Sequence, residues 1–254
     1  MVDFVGAGPG AVDLITVRGR KLIEEADCII YAGSLVNPEL LSYARRGCPV
    51  YNSAKMHLEE VLAVMEQMEE KGKNTVRLHT GDPSLYGAVR EQMDALRKRG
   101  IPFRICPGVS SFCGAAAALQ AEYTLPDVSQ SVIITRMEGR TSMPEREKLH
   151  ILAQHGATMV LFLSSGMADR VQEELLRGAY THDTPCAIVY KATWKDEKII
   201  RGTVGELCKL VSENGIKETA LIIVGDVLGD DYALSKLYDK HFTTAYREGE
   251  SKQR

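Results

Sequence analysis

Long apolar runs are absent from this chain. The longest, such as residues 159–163 and 220–224, fall far short of the roughly 20 residues that a bilayer span needs. Met1-Val2-Asp3 leads into an apolar strand pattern with no basic n-region, so the expectation is a soluble cytoplasmic protein without a membrane partner. Metal-binding patterns are also lacking. Six cysteines (Cys28, Cys48, Cys106, Cys113, Cys186 and Cys208) are scattered without a Cys-x-x-Cys or a Cys/His cluster, which predicts buried, reduced thiols and no metal site. There is no excess of positive charge. A net charge of −3 argues against nucleic acid held on a general basic surface, while leaving room for a local cluster that takes an anionic small molecule. Finally, no G-x-S-x-G or G-x-x-x-x-G-K-[ST] occurs and the six His are isolated, so no acid–base or nucleophilic role is assigned to any residue. A site without such machinery fits a reaction whose leaving group is already activated, which needs positioning and exclusion of water more than a strong protein base.

What is present reads as α/β. With 254 residues, 44% apolar and 26% charged, the chain is long enough for two domains of about 120 residues each. Apolar runs at residues 2–5, 28–31, 49–52, 75–78 and 102–106 alternate with helical spacing at 16–26, 58–71 and 88–98 and a small-residue run at 113–118, giving a mostly parallel first sheet. A polar, Pro-containing stretch at 122–130 reads as a linker. Beyond it, strands are predicted at 131–135, 158–163, 186–190, 198–203 and 220–224, and helices at 145–155, 168–177 and 204–213. Strands 186–190 and 198–203 look like a hairpin, so the second sheet is predicted to be mixed. The resulting division is 1–121, linker 122–130, 131–240 and a tail at 241–254.

Three of the first-half strands end in Gly-rich turns. Thr80-Gly81-Asp82-Pro83-Ser84-Leu85-Tyr86-Gly87 follows the fourth strand, where ligands collect in open α/β sheets. Gly, Asp and Pro there suit either a small-molecule rim or a plain β-turn. Pro107-Gly108-Val109-Ser110-Ser111 follows the fifth strand and offers hydroxyls and helix-start N–H groups, or simply a Ser N-cap. Gly6-Ala7-Gly8-Pro9-Gly10-Ala11 satisfies G-x-G-x-x-[GA], the dinucleotide fingerprint. Two features count against a nicotinamide or flavin. Pro9 removes a donor from the loop, and the next strand ends in Tyr31-Ala32-Gly33-Ser34 instead of an acid for the ribose.

Together with Thr135-Arg136 to Gly139-Arg140 and Arg201-Gly202-Thr203, these motifs in this order resemble the tetrapyrrole methylases, the class III S-adenosylmethionine-dependent methyltransferases, over about residues 1–230. Within that family, residues 28–36 and 81–88 are similar to the branch that methylates ring carbon C11 of precorrin-4 or its cobalt form in corrin biosynthesis. Sister methylases of other regiochemistry, such as the uroporphyrinogen III enzymes, are the alternative, ahead of a diphthine synthase or a dinucleotide-binding module. The resemblance implies two α/β domains with a cofactor cleft between them, a homodimer, S-adenosylmethionine as methyl donor and S-adenosylhomocysteine as product. It places Pro9, Thr80, Gly81, Asp82, Leu85, Ser110, Ser111, Leu163, Tyr190 and Ala192 at the cofactor. Leu163 and Ser111 depart from residues that relatives carry there. The implied substrate is a ring with carboxylate arms, for which Arg18, Tyr31, Ser34, Lys55, Arg136 and Arg140, with Lys191, are the candidate contacts.

Overall fold

The structure, a computed structural model, describes residues 1–33 and 35–250. It divides into two compact units, one of Met1–Ala118 with Tyr190–Lys198, the other of Leu119–Val189 with Ile199–Arg254.

The first unit is built on five strands: β1 (Val2–Gly6), β2 (Cys28–Tyr31), β3 (Val50–Asn52), β4 (Thr75–His79) and β5 (Phe103–Cys106). Their order is β3-β2-β4-β1-β5, and each pairing is parallel. Parallel strands need crossovers, and the chain supplies them as α1 (Val17–Glu25), α2 (Leu58–Glu70) and α3 (Arg90–Lys98), with α4 (Ser111–Leu119) following β5. Thr16 caps α1 by accepting from the Gly19 N–H, which explains why the helix starts there. Apolar residues alternate along the strands to fill two layers. Val5, Ile29, Val76 and Leu78 pack with Ile23 of α1 on one face, while Val2, Phe4, Cys28 and Ile30 pack with Val61, Leu62, Met65 and Leu96 of α2 and α3 on the other.

The second unit carries β6 (Val132–Arg136), β7 (Thr158–Phe162), β8 (Pro185–Tyr190), β9 (Lys198–Thr203) and β10 (Ala220–Val224) in the order β6-β7-β10-β8-β9. β6 runs parallel to β7 and β10 antiparallel to it, so the sheet is mixed, as its sequence pattern predicts. Its helices are α5 (Leu149–Ala153), α6 (Ala168–Leu176) and α7 (Leu207–Glu213).

Two expectations are corrected. The helix predicted at 145–155 is broken: Glu145–Glu147 is a single 3₁₀ turn and Lys148 is extended before α5 begins. Leu149 is the first buried residue of that stretch, so residues 145–148 have no apolar face to hold them helical. The thiols are all free, but only Cys28, Cys106 and Cys186 are buried; Cys113 and Cys208 are exposed. The α4 run is small and apolar throughout, which leaves its periodicity uninformative about which side faces out.

At the carboxyl end of the first sheet three backbones meet without side chains between them. A methyl group on Gly6 would stand 2.6 Å from both the Gly108 Cα and the Gly81 carbonyl oxygen, and one on Gly108 would overlap that same oxygen. Gly108→Ala is therefore expected to destabilise the protein by about 3 kcal/mol in urea denaturation. Gly47→Ala meets only open space and pays only for its positive φ, about 1 kcal/mol. Equal losses in the two variants would contradict this packing.

Candidate functional site

The strand-end loops are stitched to one another. Ala7 N–H donates to the His79 carbonyl (2.7 Å), Gly81 N–H to the Gly8 carbonyl (2.9 Å), and Gly8 and Gly81 form an isolated antiparallel bridge. Gly81 has φ +58°, a conformation that other residues adopt only with strain. Asp82 then ties β4 to β5: one carboxylate oxygen accepts from Gly108 N–H (2.8 Å), the other from Ser84 N–H (2.8 Å) and the Ser84 hydroxyl. Burial pushes the Asp82 carboxyl up, but the hydrogen bonds from the Ser84 hydroxyl, Gly108 and Ser84 N–H outweigh it and hold the group below its ordinary value. It is an ionised clamp whose two oxygens are already engaged.

His79, directly before this loop, is 4% exposed and stacks on Phe4 at 6.0 Å. Burial, helped by the Arg77 charge, pushes its pKa down to about 3, and Nε2 has no hydrogen-bond partner among the described residues. A neutral, dry imidazole cannot take up a proton at neutral pH. The rim thus combines backbone groups with the hydroxyl residues Thr80, Ser110 and Ser111, with no free base among Asp82 and His79.

The first unit also contains the connection between β8 and β9. Trp194 donates from its indole nitrogen to the Pro9 carbonyl (3.1 Å), and Ala11 N–H donates to the Thr193 hydroxyl (3.0 Å). The indole lies where a Gly10 side chain would be, so the extra glycine of the Gly-rich loop makes room for a tryptophan. Lys191, at φ 47°, and Thr193, at φ 70°, are left-handed without being glycine, as are Tyr86 (φ 54°) and Ala88 (φ 47°) in the loop after Asp82. Each costs on the order of 1–2 kcal/mol, and such strain gathers at ligand clamps. Sequence reasoning missed Trp194 and Thr193; a lone Trp in a short polar strand connection was the available signal.

A family model described as Tetrapyrrole (Corrin/Porphyrin) Methylases matches residues 1–208. The chain belongs to the tetrapyrrole methylases. It is 57% identical to a cobalt-precorrin-4 C(11)-methyltransferase of Methanocaldococcus jannaschii, over 99% of this chain and 97% of that protein. An X-ray structure of a cobalt precorrin-4 methyltransferase superposes with a TM-score of 0.88 at 48% identity, covering 90% of this chain and 96% of that one. A uroporphyrin-III C-methyltransferase from Thermus thermophilus complexed with S-adenyl homocysteine superposes with a TM-score of 0.72 at 26% identity, covering 89% and 92%.

In this tetrapyrrole methylase, Pro9, Thr80, Gly81, Asp82, Leu85, Ser110 and Ser111 lie on the three stitched loops, with Pro9, Gly81 and Ser110 buried. Tyr190 and Ala192 lie at the start of the Trp194 segment, where the Lys191 ammonium sits over the Tyr190 and Trp194 rings at 5.3 and 5.5 Å and pairs with Asp196 at 2.6 Å. Tyr31 ends β2, its carbonyl accepting from the Ser53 hydroxyl, and Lys55 is exposed just after β3. Arg18 lies on α1 and lines a groove of about 370 Å³ with Lys21, Glu25, Arg104 and Asp3, whose walls include none of the Gly81 loop. Ser34 is outside the described residues. The second unit carries Leu163, Arg136 and Arg140. Leu163 follows β7 at φ 53° and is 63% exposed, an unusual state for a leucine. Arg136 donates to the carbonyls of Met137, Thr141 and Ser142, folding its own loop, whereas Arg140 is exposed.

The Asp82 shift has a pH signature. A carboxyl held below its unfolded pKa of about 3.9 stabilises fully above that value and loses its contribution as pH falls through the folded one. The urea midpoint of wild type should exceed that of Asp82→Asn most near pH 6, and the gap should close toward pH 3. A gap independent of pH would contradict the clamp.

Proposed function

We propose that this protein transfers the methyl group of S-adenosylmethionine to ring carbon C11 of precorrin-4 or cobalt-precorrin-4. The observation that carries the substrate assignment is the 57% identity over nearly the whole chain to a relative named for that reaction on the cobalt-containing ring. The reaction class is supported independently by the site. Asp82 is hydrogen-bonded on both oxygens and His79 is neutral and buried, so neither is free to move a proton, which supports a reaction that the protein drives by positioning. S-adenosylmethionine supplies a methyl already activated on a sulfonium, which makes a strong protein base unnecessary.

The residues that would hold the cofactor are Thr80, Gly81, Asp82 and Leu85 after β4, Ser110 and Ser111 at the start of α4, Pro9, Tyr190 and Ala192 around the Trp194 segment, and Leu163 after β7. Their polar groups fit a nucleoside bearing hydroxyls and an amino-acid tail: backbone groups, hydroxyls and a pinned carboxylate, in loops that carry several left-handed residues. Asp82 keeps the β4 and β5 loops at one separation, and Trp194 does the same for residues 8–11. Tyr31, Ser34, Lys55, Arg18, Arg136 and Arg140 are the proposed contacts to the ring and its carboxylates, the cations by charge-assisted hydrogen bonds. On this reading the enzyme is a cytoplasmic homodimer.

S-adenosylhomocysteine at about a hundredfold over its Kd is expected to stabilise the protein by roughly 2.7 kcal/mol in a thermal shift, with no effect from NADP. Incubation with methyl-labelled S-adenosylmethionine and precorrin-4, with and without cobalt, should place the label at C11 by carbon NMR. Label at another ring carbon would leave a methylase of different regiochemistry, and stabilisation by NADP alone would overturn the methyl-transfer reading.

A further inference from the structure

β4 buries more than its apolar side. Val76 and Leu78 enter one core layer, and on the opposite face stand Thr75, Arg77 and His79, all buried, against a layer made of Val2, Phe4, Ile30, Met65 and Leu96. Arg77 is 6% exposed and, among the described residues, no carboxylate offsets it; burial alone lowers its pKa to about 10. A hydrocarbon side chain in that place would cost the fold less, because an unpaired buried cation loses its hydration for little return. The cost calls for a use that packing does not supply.

The hydrogen bonds point to that use. Arg77 Nε donates to Gln92 Oε1 (3.1 Å) and Nη1 donates to the Ile30 carbonyl (3.3 Å). A guanidinium has only donors, so it must face the amide oxygen of Gln92, which leaves the Gln92 amide nitrogen turned the other way. That nitrogen donates to the Ala88 carbonyl at 2.9 Å. Ala88 is one of the two left-handed non-glycine residues of the loop after Asp82, and α3 begins only at Arg90, so the Ala88 carbonyl is held by this side chain just ahead of the helix. Arg77 thereby reaches two stretches at once: residues 82–88 through Gln92, and the end of β2, at Tyr31, through Ile30.

We propose that Arg77 and Gln92 are positioning residues for methyl transfer, acting as a relay that holds the strained loop at Tyr86 and Ala88 and the end of β2 in the geometry the cofactor and ring require. The inference rests on the reading of residues 80–85 as the cofactor loop. Removing both polar partners together, in Arg77→Met with Gln92→Met, replaces a buried polar network by apolar volume, a change that is near neutral or favourable for stability. The thermal midpoint should therefore stay at or above the wild-type value while backbone amides at residues 85–88 exchange at least tenfold faster and S-adenosylhomocysteine binds about tenfold more weakly. Gln92→Glu is the second variant. It keeps an acceptor for Arg77 but turns an oxygen toward the Ala88 carbonyl, so it should reproduce the faster loop exchange and weaker binding even where the double variant folds poorly. Wild-type exchange at 85–88, or wild-type affinity, in a folded variant would overturn the relay and leave Arg77 a structural brace. If wild type itself fails to bind S-adenosylhomocysteine, the cofactor reading falls, and the exchange comparison alone decides whether the relay holds the loop.

Discussion

The site of this tetrapyrrole methylase depends on a contact between backbones. Gly6, Gly81 and Gly108 come from the ends of three neighbouring strands and approach so closely that a methyl group on Gly6 or Gly108 would collide with its neighbours. Parallel strands bring their carboxyl ends to one edge, and absence of side chains lets the following loops touch there. The strand-end part of the proposed cofactor site follows from that meeting: the Asp82 bond to Gly108, the bridge between Gly8 and Gly81, and the placement of Ser110 and Ser111 at the head of α4.

A meeting of bare backbones also has to be kept from loosening. Tyr86, Ala88, Lys191 and Thr193 all sit in left-handed conformations, and each needs neighbours that leave it no alternative. The restraints come from opposite directions. Arg77 and Gln92 reach up from the core layer under α3, and Trp194 and Thr193 arrive from a segment far along the chain to pin residues 8–11. Burying the Arg77 guanidinium costs stability, and its hydrogen bond to Gln92, which in turn donates to the Ala88 carbonyl, is where that cost is proposed to be used. Neither His79 nor Asp82 is a free base, since burial leaves His79 uncharged and both Asp82 oxygens accept hydrogen bonds from Ser84 and Gly108.

Much of this was legible from the chain. Gly and Pro punctuate the ends of β1, β4 and β5, so the strand-end loops, the parallel order of βα units and the residues on those loops could be read before any coordinates. The mixed second sheet was legible as well, because the 186–190 and 198–203 runs are too close for a crossover helix. The docking of Trp194 and Thr193 was not: their respective partners Pro9 and Ala11 lie more than 180 residues away in the chain. Nor was the break at Lys148, where charge pattern and propensity favour a helix that has nothing to pack against. Nothing in the 75–79 stretch marks Arg77 as buried, and only the third dimension reveals that its face is core. The fingerprint at residues 6–11 illustrates the opposite risk, a phosphate-loop pattern whose Gly10 accommodates an indole ring instead.

The most direct test is a crystal structure of the protein grown with S-adenosylhomocysteine. The account predicts the nucleoside against the backbone of Thr80, Gly81 and Asp82, with Ser110 or Ser111 within hydrogen-bond distance and the Asp82–Gly108 bond intact. A nucleoside bound in the groove beside Arg18 and Arg104, or one that displaces Asp82 from Gly108 to reach its pocket, would contradict it.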